Sequence, residues 1–269
     1  MNPGAASEPV RRLRFLVTAK THPLPSAKYR ETVCTAGITR DGEWVRLYPV
    51  PFRYWEIQQQ FSLYDWVELE ARKRPRASDK RKENWTPVGD LQVIEQVGTD
   101  NKWAERKRLI LPYVAPSLES LHRAYDRDGT SLGIIRPAEV LDVVVVEDDS
   151  DWAPKQRAAL QQMSLDGSKP KPLDKPKHWF SYRFRCEGTA CRGHRLQILD
   201  WGLYELYRRT KLERGEGAAV EATTAKCREL VAPDKDPLFF VGKHSRYPGF
   251  MVIGMFYPPR DERIVLPLD

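Results

Sequence analysis

The chain has 269 residues, 41% of them hydrophobic and 30% charged, with a formal charge of +7 and a pI near 9.2. No stretch reaches the ~20 apolar residues that a membrane span needs, and the small, polar run from Met1 to Pro9 lacks the apolar middle of a signal peptide. Four cysteines cannot build a disulfide framework in a chain this long, so the composition predicts a soluble, cytoplasmic protein with a substantial core.

The first third reads as β structure. Leu13 to Thr18 is an apolar strand. Tyr29 to Ile38 and Trp44 to Tyr48 flank the turn dipeptide Asp41-Gly42, which signals a hairpin. After Pro49 and Pro51, the pattern Phe61-Ser-Leu-Tyr64-Asp-Trp-Val67 points to strand entry into a small barrel, and Tyr64 to Leu69 forms that strand. It feeds a basic run with seven cations (Arg72, Lys73, Arg74, Arg76, Lys80, Arg81 and Lys82) against one acid, Asp79. The run is expected to cap a strand end or to form a long hairpin loop.

Leu91 to Val97 is a further strand. Helices follow at Lys102 to Leu111 and at Leu118 to Tyr125, the second opening with Ser117 as N-cap. Val140 to Val146 is a continuous β-branched run and reads as a buried strand. Pro154 opens a helix over Lys155 to Met163. Gly167 to Lys177 interleaves three prolines with four lysines and reads as a linker. The expected organisation is a β-rich basic domain over 1–166, this linker over 167–177, and an α+β domain over 178–269. The last part holds a strand from Trp179 to Arg185, helices from Trp201 to Glu213 (N-cap Asp200) and Glu216 to Val231, and strands at Leu238 to Val241 and Phe250 to Phe256.

Chemistry concentrates after Arg185. Cys186-Glu-Gly-Thr-Ala-Cys191-Arg-Gly-His194 places two thiols and an imidazole within nine residues, with glycines where a chain folding around an ion needs unusual backbone angles. Such ligands suit a structural zinc ion, which takes four in a tetrahedron. Cys227, on the second C-terminal helix, is the best distant candidate for the fourth. His178 is excluded, because eight residues of strand put it roughly 26 Å from Cys186.

Cations interleaved with aromatics point to a nucleic-acid partner, DNA or RNA. Arg46, Arg53 and Trp55 flank one proline-rich turn, Trp179, Arg183 and Arg185 share one face of a strand, and the basic run supplies phosphate contacts. Two further readings stand beside this one. A metal-dependent nuclease would use carboxylates, for which Glu68 and Glu70 on one strand face and nearby Asp65 are candidates. A protein–protein adaptor would offer its basic loops to an acidic partner. Phosphate-cradling loops, dinucleotide fingerprints and G-x-S-x-G elbows are absent from the sequence, which disfavours nucleotide-driven motors, dehydrogenases and common hydrolases.

Overall fold

The computed structural model describes residues 8–26, 28–56, 60–77, 79–161, 173–187, 191–244 and 249–261. It is an α+β protein. The N-terminal strands are β1 (Val10–Lys20), β2 (Leu24–Ser26), β3 (Arg30–Thr39), β4 (Trp44–Val50), β5 (Asp65–Lys73), β6 (Asn84–Pro87) and β7 (Gln92–Gln96). The predicted hairpin is β3–β4, and Gly42 takes the left-handed conformation (φ +84°) that its turn requires. The basic run continues β5 to Lys73 and then forms the β5–β6 hairpin loop.

Five strands close on themselves in the order β1-β3-β4-β6-β5-β1, with β4–β6 the one parallel contact of the ring. Alternation along each strand explains the closure. Leu13, Phe15 and Val17 of β1 and Val67, Leu69 and Ala71 of β5 point inward and form the barrel core with Val33, Val45 and Leu47. β7 pairs with β5 as an exposed edge strand.

Beyond the barrel come α1 (Asp100–Ile110), β8 (Val114–Ala115), α2 (Leu118–Asp128), β9 (Leu132–Ile135), β10 (Pro137–Glu147), α3 (Pro154–Gln161), β11 (His178–Cys186), β12 (His194–Gln197), α4 (Trp201–Arg214), α5 (Glu216–Glu229), β13 (Leu238–Lys243) and β14 (Phe250–Phe256). The sheet β14-β13-β9-β8 lies between two cores. On β13, Leu238 and Phe240 face the outside of the barrel with Leu16, Ile38 and Trp66, whereas Phe239 and Val241 face the second core. At the barrel contact the backbones run close. A Cβ on Gly254 would sit 2.9 Å from the Cβ of Ala19.

The third sheet, β10-β11-β12, completes the second core with α2, α4 and α5. β10 pairs with β11 from Pro137↔Cys186 to Glu147↔His178, so residues on both sides of the expected linker share this core. Residues 167–172 of that linker lie outside the described residues. The rest of it is docked: Leu173 is buried against Trp152 and Tyr204, and Lys175 reaches Asp148 at 2.6 Å. One expectation needs correcting. The β-branched run of β10 is not buried throughout, because β10 is the edge strand; Val143 is covered, but Leu141 and Val146 are 38% and 41% exposed. The run reports strand propensity, not depth.

Candidate functional site

A cleft of about 1320 Å³ opens between the barrel and the third sheet. Its barrel side is built by the end of β1 and its continuation (Thr21, His22), by Cys34 of β3, and by Arg46 and Tyr48 of β4. The β5–β6 loop adds Arg74, Lys80 and Arg81. The opposite wall is one face of the third sheet, where Trp179 and Ser181 of β11 stand beside Arg195 and Gln197 of β12. The end of β13 contributes Lys243, and the segment after β10 contributes Trp152, Lys155 and later Lys175.

Among the described residues, eight cations line this space (Arg46, Arg74, Lys80, Arg81, Lys155, Lys175, Arg195 and Lys243), against four carboxylates (Asp79, Glu147, Asp148 and Asp151), an excess of four positive charges. Several are held in place. Arg81 makes a two-pronged contact with Asp79, at 2.9 Å from Nε and 2.6 Å from the terminal nitrogen, and Asn84 also donates to Asp79. Tyr125 lies under the ammonium groups of Lys80 (4.8 Å) and Lys243 (4.1 Å). The Arg74 guanidinium lies 5.4 Å from the Tyr48 ring, and its Nε donates to Thr86.

At the base, Arg46 is 3% exposed. It donates to the Ser131 carbonyl and hydroxyl, each at 3.0 Å, and to the Cys34 sulfur at 3.2 Å. Buried Glu83 accepts from the Ser131 amide and hydroxyl, which locks this corner. The Arg46 Nε and the His22 Nε2 find no hydrogen-bond partner among the described residues. A buried donor or acceptor in that state costs about 1–3 kcal/mol, and both side chains line the cleft. His22 packs between Trp179 and Tyr204, each ring 5.3 Å away, and burial pulls its imidazole down to about 4.

The expected nucleic-acid residues are therefore divided. Arg46, Arg74, Arg81 and Trp179 meet in the cleft. Arg183 and Arg185 are exposed further along the face of β11 that carries Trp179; Arg183 pairs in register with Arg195, and Arg185 approaches Glu139 at 3.8 Å. Arg53 and Trp55 sit elsewhere, at the barrel end, Arg53 on buried Glu31 and Trp55 against Phe61. Arg72 points outward from the barrel, Lys73 covers Trp85, and Arg76 and Lys82 both engage Asp128. The run does not act as one patch, because strand alternation and two aspartates distribute it. Tyr48, Arg195 and Lys243 carry no local pattern that marks them in the sequence, and Lys175 stands there only as one lysine of the expected linker.

The candidate carboxylates do not converge. Asp65 is buried and accepts from the Ser62 amide at 2.7 Å, while Glu68 and Glu70 lie on the other face of β5, Glu68 paired with Arg12. Among the described residues one group has the geometry to hold a metal ion, Cys186, Cys191 and His194, whose ligand atoms lie within 4.8 Å of one another. The β11–β12 hairpin brings them together, with Gly193 in the left-handed region (φ +91°). The amides of Cys186 and Gly193 both donate to the Cys191 sulfur (3.3 and 3.4 Å), as in a loop wrapped around thiolates. Burial pushes the Cys186 thiol up to about 11, so a thiolate there needs a cation beside it. Cys227 is not part of this group. Its side chain is buried in the second core, and its carbonyl accepts from the Tyr182 hydroxyl.

Residues 114–268 match the family model described as a domain of unknown function, DUF8757, and residues 11–112 match a second, DUF8758, also a domain of unknown function. The two matches meet where the barrel and its flanking helix α1 give way to the remaining sheets. No curated protein matches the chain. No helix among the described residues is long and apolar enough to cross a membrane.

Proposed function

We propose that this chain, which belongs to the DUF8757 family, binds nucleic acid in the cleft between the barrel and the third sheet. The observation that carries the reading is the convergence of eight cations with the Trp179, Tyr48 and Tyr125 rings in a space of about 1320 Å³. That volume exceeds the ~300–1,000 Å³ usual for small-molecule sites. Cations at its rim suit phosphates, and half-buried Trp179 offers a face on which an unpaired base stacks. Arg183 and Arg185 extend the same sheet face beyond the cleft, as a track for a longer strand. The expected class of ligand is single-stranded or structured DNA or RNA with an accessible base.

Fluorescence anisotropy with a generic labelled single strand tests this. Binding at 50 mM salt that weakens steeply by 200 mM supports it. No binding at low salt refutes it and favours an acidic protein partner. Shortening of the strand with magnesium or manganese in the same samples would make the protein a nuclease.

The Cys186, Cys191 and His194 group serves in this reading as a structural zinc site. Thiolate and imidazole donors with N–H···S support fit zinc, and the site braces the hairpin that carries Arg195. Elemental analysis should find about one zinc per chain, and chelation should lower the melting temperature, because binding of a structural ion contributes folding free energy. A metal-free protein as purified, together with a Cys186→Ser variant of unchanged melting temperature, would remove the zinc from the account.

A further inference from the structure

We infer that Glu119 is the fourth ligand of the Cys186, Cys191 and His194 site, making it a two-thiolate, one-imidazole, one-carboxylate centre. The inference rests on the metal reading above and adds a residue from a distant part of the chain.

The geometry approaches that of a tetrahedron edge, with both spacings just below the ideal range. Bonds of about 2.0–2.3 Å to a tetrahedral zinc put neighbouring ligand atoms about 3.3–3.8 Å apart. The Cys191 Sγ to His194 Nε2 distance is 3.2 Å, and the His194 Nε2 to Glu119 Oε1 distance is also 3.2 Å. Glu119 thus flanks the imidazole nitrogen that faces the sulfurs. It lies outside the tight trio, and its side chain is 38% exposed, so rotation about its own bonds can carry the carboxylate onto an ion.

Position on the helix explains why this residue is near. Ser117 caps α2 in a reciprocal box with Ser120, which fixes the first turn. Leu118, the first residue of that turn, is buried in one cluster with Cys186. The helix start therefore packs beside one member of the group, and the next side chain is Glu119. The two other candidates are engaged elsewhere. Cys227 is buried in the second core, and His122, one turn further along α2, packs edge-on against Phe250 at 5.0 Å.

The functional consequence is mechanical. An ion held this way ties the start of α2 to the β11–β12 hairpin. The far end of α2 carries Gly129, whose carbonyl accepts from Lys82 of the basic loop, and β12 carries Arg195. The metal would thereby fix two walls of the cleft relative to each other.

Cobalt(II) titration of the full chain is the test, reading thiolate-to-cobalt charge transfer and the intensity of the d–d bands, with zinc competition to rank affinities. Wild type should bind one cobalt with the strong d–d absorption of a four-coordinate site. Glu119→Gln should bind at least about tenfold more weakly with altered d–d bands, while Glu119→His should recover tight binding with a spectrum shifted by the extra nitrogen. Circular dichroism confirms that both variants are folded. If Glu119→Gln matches wild type in affinity and spectrum while Cys186→Ser loses the charge-transfer band, the trio holds its metal without Glu119, and this inference falls alone. If wild type binds no cobalt, the metal reading fails and Glu119 fails with it.

Discussion

His22 shows how a single residue records its place in the fold. It is 2% exposed, stacked on Tyr204 and tilted against Trp179, and its backbone amide donates to the Leu199 carbonyl. Desolvation disfavours the imidazolium and lowers the side chain to about 4. The folded protein therefore resists a proton that the unfolded chain accepts below its ordinary value of about 6.5. Stability from this group is fully present above pH 6.5 and is lost as pH falls toward 4. Asp200 opposes it. Burial raises that carboxyl to about 6, so the folded state holds a proton the unfolded chain releases, and stability from Asp200 rises as pH falls over much of the same window. Comparison with a His22→Gln variant separates the two. The stability difference should move against wild type by about 1.4 kcal/mol per pH unit between 6.5 and 4, and stay level outside that range. Parallel urea-midpoint curves across pH 4–7 would show that His22 is not held neutral.

At the scale of elements, α2 links the two candidate sites, and Gly129 is the residue on which that link turns. It ends the helix at φ +81°, and a Cβ there would lie 2.1 Å from the Lys80 carbonyl oxygen. Gly129→Ala should cost about 1–2 kcal/mol through the left-handed backbone alone, and the clash should displace the loop that carries Lys80 and Arg81 into the cleft. A lowered melting temperature together with weaker oligonucleotide binding is expected; a variant as stable as wild type would show that neither the left-handed backbone nor the Lys80 contact constrains this position. The sequence made α2 itself legible, as it did α4 with its Asp200 cap and the β3–β4 hairpin, because caps and turn dipeptides are local chemistry. The trio of candidate metal ligands was legible for the same reason, all three lying within nine residues. Pairings between distant segments were not. The parallel β4–β6 contact that closes the barrel, and the β10–β11 ladder across 148–177, depend on which buried faces match in space. Glu119 beside His194, and Arg195 in one cleft with Arg46, likewise join segments far apart in the chain.

Across the whole molecule, the question is whether net charge or its arrangement drives binding, and the fold supplies a matched comparison. Arg74, Lys155 and Arg195 line the cleft, while Arg12, Arg14 and Arg72 are exposed on the outer surface of the barrel and do not line it. Replacing either trio by alanine removes the same three charges. On single strands each lost phosphate contact should reduce the slope of log affinity against log salt by about 0.7. The cleft trio should therefore flatten the slope by about 2 and weaken binding at low salt, and the barrel trio should leave the slope close to wild type. Trp179→Ala acts through a different term. Loss of a stacking face should cost about 1–3 kcal/mol on a single strand, and far less on duplex, whose bases are already stacked, with the salt slope unchanged. Anisotropy titrations at four salt concentrations, on both strand forms, read all of these effects. Equal flattening by the two trios would mean that the cleft is not the binding surface and that the protein attracts polyanions by its overall charge. A Trp179→Ala loss that is the same on duplex and single strand would mean that this ring shapes the cleft wall without meeting a base.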